Sequence, residues 1–237
     1  MGKNLTQQKA GRGTTTYRAP SHNFTADTQL PKLNKYFNGF VVDLVHCSGH
    51  TCPLAKISSN DRTIEIYVPA VEGLAVGEKV EYSEFAPIKL GNILPLKNIP
   101  EGTIICNVEL TPGDGGKFVR SSGSHGKIVA KQDTNVQVML PSKKTADLNG
   151  NCRAVIGIVS GGGRTEKPFM KAGNKFHAMK ARNRYWPKVS GTSMNAVDHP
   201  FGNSRSSRKG RPTIAPHNAP PGRKVGMIRP RHTGRNK

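Results

Sequence analysis

Short runs of apolar residues, each bounded by turn-forming residues, begin at Phe37 and continue to about residue 86. Four of them are typical of β-strands and cover residues 40–46, 53–59, 62–70 and 79–85. In the third run Ile64, Ile66 and Val68 alternate with polar residues, which predicts a strand with one buried face. Strands of this length, separated by Ser-Gly, Asn-Asp and Glu-Gly pairs, predict a small all-β barrel.

A second series of strand-like runs follows a connector, residues 86–102, that contains three prolines and two glycines. These runs cover residues 103–110, 117–123, 126–132, 135–142 and 152–160. Dense turn signals at 112–116, 122–126 and 149–151 separate several of them. The sequence therefore predicts a mainly β fold in which a second small barrel has its own core.

Both ends of the chain lack this periodicity. The first 36 residues are polar and basic and are predicted to be extended, because they cannot bury enough apolar area to fold alone. After Ser160 only residues 171–184 fit a short helix, and the remainder predicts a tail that is disordered in isolation. The predicted segments are an N-terminal extension, two barrels and a C-terminal extension, over residues 1–36, 37–86, 87–165 and 166–237.

Charge follows the same division. The chain has 36 Lys and Arg against 15 Asp and Glu, and its net charge of +21 is split into +5 for residues 1–36, zero for 37–160 and +16 for 161–237. Two basic ends of this strength predict a polyanionic partner. No run approaches the roughly 18 apolar residues of a membrane span, and the N-terminus lacks the apolar core of a signal peptide, so we expect a soluble intracellular protein.

The four cysteines fall into two groups. Cys106 and Cys152 lie in strand-like runs and are predicted to be buried small side chains. The segment HCSGHTC brings His46, Cys47, His50 and Cys52 close together, and all four are residue types that bind zinc. Because no second ligand pair follows, reduced thiols in a surface loop are favoured over a local zinc site, and a disulfide is a further alternative.

Two glycine-rich segments suit phosphate binding. Residues 112–127 contain five glycines beside Lys117, Arg120 and Lys127, and the missing side chains let backbone amides approach phosphate oxygens. A pair of tight hairpin turns is the alternative, and both interpretations can hold together. Residues 161–175 repeat the pattern with a glycine triplet before a basic residue, without a nucleotide-binding fingerprint, which favours contact with RNA sugar and phosphate.

Residues 180–191 carry Tyr185 and Trp186 within a run of basic residues. Aromatic rings between cations suit stacking on unpaired bases while the charges meet phosphates. Trp186 alternatively anchors the tail onto the second barrel, and the sequence leaves both alternatives open.

His199 lies between an acidic residue, Asp198, and Pro200, an arrangement that raises the question of a general base. A carboxylate adjacent in the chain cannot easily orient the same imidazole, and no nucleophile motif such as Gly-x-Ser-x-Gly lies nearby. A structural or RNA-contacting histidine is therefore favoured over a catalytic one.

At MNAVDHPFG, residues 194–202, the sequence closely resembles one family, the second protein of the large ribosomal subunit. The resemblance continues in the collinear segments RGTTTYRAPSH, CNVELTPGDGGKFVRSSGS, CRAVIGIVSGGGRTEKPFMKAGNKFH, RYWPKVSGTS and NAPPGRKVG. The sequences GGGRTEKP and HPFG resemble those of archaeal rather than bacterial members of the family. Two segments depart from the family pattern, HCSGHTCPLA at 46–55 and NSRSSRKGRP at 203–212, so the role of the first and the path of the second on RNA stay open.

The resemblance implies an oligonucleotide-binding-type barrel followed by an SH3-like barrel, with extensions that thread into large-subunit RNA. It implies a structural, non-enzymatic constituent of the cytoplasmic ribosome near the peptidyl transferase centre, with roles in subunit association and tRNA binding. The implied partners are large-subunit rRNA, neighbouring ribosomal proteins and the small subunit, with no membrane and no small-molecule substrate. No cofactor is expected apart from Mg²⁺ or K⁺ shared with rRNA.

The expected RNA contacts are basic, aromatic or imidazole side chains of the extensions and the glycine-rich segments. They are Arg12, Arg18, Lys117, Arg120, Lys127, Arg164, Lys167, Lys171, Lys175, Lys180, Arg182, Arg184, Trp186, His199, Arg205, Arg208, Arg211, Arg223 and Lys224. Two competing hypotheses are an enzyme with His199 as general base and a zinc-dependent RNA-binding module at His46, Cys47, His50 and Cys52.

Overall fold

The computed structural model describes residues 2–31, 37–132, 134–203 and 213–230. The chain divides into two compact units. We call residues 21–171 the β unit, and residues 1–20 together with 172–237 the terminal unit. Within the described ranges, no helix is both long enough and apolar enough to cross a membrane.

Ten strands of the described part of the β unit form one sheet, in the order β3-β2-β1-β4-β5-β10-β6-β7-β8-β9. The strands are β1 (Phe37–Val45), β2 (Leu54–Ser59), β3 (Glu65–Pro69), β4 (Lys79–Tyr82), β5 (Ile93–Pro95), β6 (Ile104–Cys106), β7 (Gly126–Lys131), β8 (Asn135–Met139), β9 (Thr145–Asn149) and β10 (Arg153–Ile156). Neighbouring strands are antiparallel except β4 and β5, which meet in parallel at Tyr82 and Ile93. The prediction of a mainly β fold is confirmed.

The β4–β5 pair joins the two series of strands. The predicted boundary between residues 86 and 87 lies in the loop that connects these strands, and the assignment of each series to a barrel stays a prediction. The buried core runs through both series, from Val41 and Ile57 on one side to Ile105 and Ile128 on the other. A continuous core of this kind is expected to unfold as one cooperative body.

Alternation in the sequence located β3 correctly. Ile66 and Val68 are buried, and Ile64 packs against the same cluster. The predicted burial of Cys106 and Cys152 is likewise confirmed, since neither thiol is exposed.

Three segments differ from the sequence-based expectations. β5 lies inside the proline-rich connector, where Ile93 and Leu94 are buried and β5 pairs with both β4 and β10. β9 has a single fully buried side chain, Leu148, and is held by pairing with β8. Ala146 and Leu148 alternate with polar residues, but over only five positions, so the sequence did not predict this strand. Residues 117–123 were predicted as a strand but contribute only a single bridge, Phe118 with Val108.

The described part of the terminal unit contains two short helices, α1 (Thr6–Gly11) and α2 (Ala172–Ala181), and single turns of 3₁₀ helix. The prediction of a helix near residues 171–184 is confirmed by α2. The sequence did not predict α1, whose first turn is closed by the Gln8 side chain accepting a hydrogen bond from the Leu5 amide at 2.8 Å. Leu5, Ala215 and Val225 are the buried hydrophobic residues of the unit within the described ranges.

Candidate nucleic-acid interface

The first glycine-rich loop, residues 110–117, is closed by its own carboxylate. Asp114 accepts hydrogen bonds from the amides of Leu110 and Thr111 through one oxygen, at 3.0 and 3.2 Å, and from Gly116 through the other at 3.0 Å. Gly115 and Gly116 have φ angles of 81° and 92°, which L side chains rarely adopt. Because these amides already donate within the protein, recognition of a phosphate at this loop would depend on the exposed Lys117.

A fully buried ion pair lies behind this loop. Arg153 donates from Nε to Glu109 Oε2 at 2.9 Å and from a second nitrogen to Glu109 Oε1, and it also donates to the Tyr82 hydroxyl at 2.7 Å. The same carboxylate accepts from the Gly115 amide at 3.1 Å. This network connects β4, β10 and the loop, and it fixes where the loop sits.

The two glycine-rich segments, treated separately in the sequence, are adjacent in the fold. A Cβ added at Gly123 would lie 2.8 Å from the Cα of Gly162, so the two backbones touch. Arg164 then donates from Nε to the Ser122 hydroxyl at 2.9 Å. The place where the two segments meet therefore carries the exposed Arg164, and Lys127 of the first segment is exposed as well.

Arg120 serves the fold as well as the surface. Its guanidinium donates to the carbonyls of Gly116 and Thr28, at 3.3 and 3.1 Å, and the side chain is half-buried. Burial lowers the pKa of this guanidinium. Arg120 therefore connects the first glycine-rich loop to the chain that precedes β1, and its loss would disturb that loop as well as remove a charge.

The two cysteines of HCSGHTC are buried, although His46 is exposed and residues 48–51 are half-exposed, so the loop itself reaches the surface. Cys47 and Cys52 are both buried free thiols, and the Phe24 ring packs on Gly49 between them in the sequence. Cys47 Sγ lies 3.1 Å from His50 Nδ1, whereas Cys52 points to the Arg120 carbonyl at 3.6 Å. Among the described residues no group of three or more His, Cys, Asp or Glu is arranged to hold a metal ion.

The electrostatic environments of the two thiols differ. Burial raises the pKa of Cys47, but backbone hydrogen bonds around the thiol lower it by more, so its pKa lies below the ordinary value. Burial raises the pKa of Cys52 above the ordinary value, and burial lowers the pKa of His50. The surroundings of Cys47 therefore favour the thiolate, whereas those of Cys52 favour the neutral thiol.

Aromatic and basic side chains alternate on the surface of the terminal unit. The Tyr17 and Tyr185 rings lie 5.5 Å apart, and Lys175 Nζ lies 5.3 Å from the centroid of the Trp186 ring, a cation–π contact. Lys180 and Arg184 flank them and are exposed. Such a surface offers rings for base stacking and cations for phosphates at the same place.

The His199 loop does not pair its acid with its base. Asp198 lies 3.4 Å from Lys3 Nζ, while His199 Nδ1 accepts a hydrogen bond from the Phe201 amide at 3.0 Å. The imidazole packs against Gly191, where a Cβ would lie 2.3 Å from it. Burial lowers the pKa of His199, which favours the neutral imidazole, and the hydrogen bond that Nδ1 accepts favours the tautomer with the proton on Nε2.

Comparisons with known proteins cover nearly the whole chain. The family model for the C-terminal domain of ribosomal proteins L2 matches residues 89–221. The large ribosomal subunit protein uL2 of Archaeoglobus fulgidus is 48% identical over 235 residues, covering 99% of each chain. The protein of the same name from Sulfurisphaera tokodaii is also 48% identical over 235 residues, covering 99% of this chain and 98% of its own.

The chain belongs to the uL2 family of ribosomal proteins. The resemblance seen in MNAVDHPFG and the other motifs, including its archaeal character, is thereby confirmed. The uL2 family consists of structural ribosomal proteins and not of enzymes, so the expectation of a non-enzymatic protein is confirmed. The role of His199 itself stays a prediction.

Among the described residues, most of the predicted RNA contacts of this uL2 chain are exposed and the rest are half-buried. The exposed ones are Arg12, Arg18, Lys117, Lys127, Arg164, Lys167, Lys171, Lys180, Arg184 and Arg223. The half-buried ones are Arg120, Lys175, Arg182, Trp186, His199 and Lys224. Arg205, Arg208 and Arg211 lie outside the described residues.

Sequence reasoning missed the residues that position this surface. Glu109 and Arg153 lie in strand-like runs, in segments that resemble the family but have no pattern that pairs the two residues. Lys3 lies 195 positions before the Asp198 with which it pairs. The one available signal was composition, because a glutamate and an arginine inside otherwise apolar runs require partners when they are buried.

Proposed function

We propose that this chain is a structural constituent of the large ribosomal subunit, located in the cytoplasmic ribosome, that binds large-subunit rRNA. The observation that carries the proposal is 48% identity over nearly the full length to two proteins named as large-subunit components. The neighbouring ribosomal proteins and the small subunit would be its protein partners.

The distribution of charge supports RNA as the main partner. The terminal unit has 19 Lys and Arg against one acidic residue, Asp198, which is itself paired with Lys3. The exposed arginines of this unit include Arg12, Arg18 and Arg184. Positive charges in this excess repel one another unless RNA phosphates neutralise them. The remaining phosphate charge of the RNA would be neutralised by Mg²⁺ or K⁺.

We further propose that the His199 loop lies near the peptidyl transferase centre and supports the local shape of the RNA, with roles in tRNA binding and subunit association. The resemblance of this loop to the family motif supports the location, and its neutral, packed imidazole supports a structural role. A photo-crosslinking residue at the exposed Asn195 should attach to RNA of that centre in assembled ribosomes. Crosslinks confined to other RNA regions would contradict the location.

The RNA-binding proposal is tested by the salt dependence of affinity for a large-subunit rRNA fragment. Counterion release predicts that log Kobs falls linearly with log salt, by roughly a thousandfold or more for six to ten phosphate contacts between low and moderate salt. The triple variant Arg12→Gln, Arg18→Gln, Arg184→Gln should flatten this slope by about two to three units.

A matched triple variant controls for the loss of net charge. Lys79, Lys89 and Lys143 are exposed in the β unit and lie away from both glycine-rich segments in the sequence. Their replacement by Gln should leave the slope nearly unchanged. Equal slopes for the two triple variants would show that only net charge matters, and binding without salt dependence would refute the proposal.

A further inference from the structure

The terminal unit contains a cavity that its basic surface does not by itself explain. Its volume is about 660 Å³, within the range of pockets that enclose small ligands. Residues of α1, Tyr17 and the segment 183–191 line it, and Asp198 and His199 lie at its wall. All of these residues belong to the same compact unit.

Tyr185 is the main aromatic surface of this cavity. The ring packs beside Tyr17 at 5.5 Å, yet 53% of the residue is exposed. It also lines a second cavity of about 80 Å³ together with Trp186 and Lys180. A tyrosine that packs against a second ring and is still half-exposed can stack on a flat aromatic group of a ligand.

The polar groups of the wall suit the edge of a base. His199 Nδ1 is used by the Phe201 amide, so Nε2–H is the donor that remains, and it has no acceptor among the described residues. Asn183 adds an amide that both donates and accepts, and the exposed Lys188 adds a cation. An occupant therefore meets one stacking ring, one donor, one amide and one positive charge.

The charged side chains that line the cavity indicate which class of ligand it can bind. Asp198, the single acidic residue in the sequence of the unit, lies 3.4 Å from Lys3 and is offset by it. A purely apolar ligand would leave Lys188 and the imidazole donor unused, whereas a nucleotide brings both an aromatic face and a phosphate. In a duplex the faces of a base are already stacked on its neighbours, so the base must be unpaired.

We propose that this cavity holds one unpaired RNA nucleotide, with its base stacked on Tyr185, an acceptor of its edge on His199 Nε2–H and its phosphate near Lys188. The proposal rests on the RNA-binding function proposed above and specifies the ligand at one place. Tyr185 would bind the base by stacking, whereas the lysines and arginines around it would bind phosphates.

The test uses the full-length protein and a short single-stranded RNA that contains 2-aminopurine, with the same strand annealed to its complement for comparison. Binding of the wild type should quench 2-aminopurine fluorescence in the single strand through stacking. Tyr185→Leu should weaken single-strand binding by about tenfold and remove the quenching, with less than about a twofold effect on the duplex. Tyr185→Phe should retain both.

Phe85→Leu is the matched control, because Phe85 is a fully solvent-facing aromatic of the β unit, 90% exposed. It should change neither affinity. If both RNAs bind with the usual salt dependence but Tyr185→Leu affects them equally, or affects neither, the nucleotide site is refuted while RNA binding stands. If neither RNA binds in a salt-dependent way, the proposed function itself fails. Failure of Tyr185→Phe to restore the quenching would mean that the leucine variant acted through misfolding, and it would overturn the assignment of Tyr185.

Discussion

The β unit and the terminal unit are built on opposite principles. The β unit has a net charge of +3, with 17 basic and 14 acidic residues, and it contains every member of the main hydrophobic cluster. The terminal unit has a net charge of +18 and three buried hydrophobic residues within the described ranges. The first unit has the means to fold alone, whereas the second has the means to bind a polyanion.

The difference shows where the free energy of each unit comes from. Burial of apolar side chains stabilises the β unit without any partner, at about 25 cal/mol per Å² of buried area. The terminal unit lacks that contribution and carries unscreened repulsion, so phosphates are expected to order it. Four substitutions test this contrast, each paired with a control.

The largest effect is expected from Arg153→Met in the β unit. It leaves Glu109 as an uncompensated carboxylate in the core, which should lower the free energy of unfolding by about 3–5 kcal/mol. Urea denaturation followed by circular dichroism measures it. The control Lys79→Met breaks a surface pair between the exposed Lys79 and the half-buried Glu81, and it should cost at most about 1 kcal/mol. Similar losses for the two variants would show that the buried network does not stabilise the β unit.

A similar or smaller loss is expected from shortening a core side chain. Ile105→Ala should lower the free energy of unfolding of the β unit by about 2–5 kcal/mol, because Ile105 lies inside the main cluster. Leu5→Ala removes a residue that is equally covered but belongs to the terminal unit, and it should change the same transition by less than about 0.5 kcal/mol. Equal costs would mean that the two units unfold together, which breaks the comparison.

Gly116→Ala probes the loop that the ion pair holds. Its φ is 92°, and an added Cβ would lie 2.4 Å from Asn107 Oδ1, so we expect a cost of about 1–3 kcal/mol. Gly77 has a φ of 90° but no atom within 4 Å of its Cβ position, and Gly77→Ala should cost about 1 kcal/mol from backbone strain alone. Thermal unfolding of both variants measures the difference between them, which is the cost of the steric contact with Asn107. Equal melting temperatures for the two variants would show that this contact costs nothing.

The smallest effect concerns pH. Burial, and next the positive charge of Arg120, lower the pKa of His50 in the folded state, so below about pH 6.5 the unfolded state binds more protons. The free energy of unfolding of the wild-type β unit should therefore rise as pH increases toward about 6.5 and then level off. In the His50→Gln variant this rise should be smaller, because the titrating imidazole is gone. The pKa of His199 is lowered in the same direction, but it belongs to the terminal unit, so His199→Gln should leave the pH dependence of the β unit unchanged. An equal change in both variants would argue against separate units.

Local pattern predicted the elements whose own side chains face the core. β2 and β3 show β-type runs, and α2 has the composition of a short helix, so all three were found. β5 and β9 were missed because their strand conformation comes from the neighbours β10 and β8. Prolines interrupt the connector that contains β5, and the alternation of Ala146 and Leu148 in β9 is too short to predict a strand by itself.

The sequence by itself determined the mainly β class, the basic ends and the membership of the uL2 family, because periodicity, charge and collinear motifs are properties of neighbouring residues. The tertiary structure decided which groups meet: Glu109 with Arg153, Gly123 with Gly162, and Asp198 with Lys3 rather than with His199. These contacts join residues that are between 39 and 195 positions apart. Burial and desolvation fix such pairs only once the chain has folded, so no spacing along the sequence encodes them.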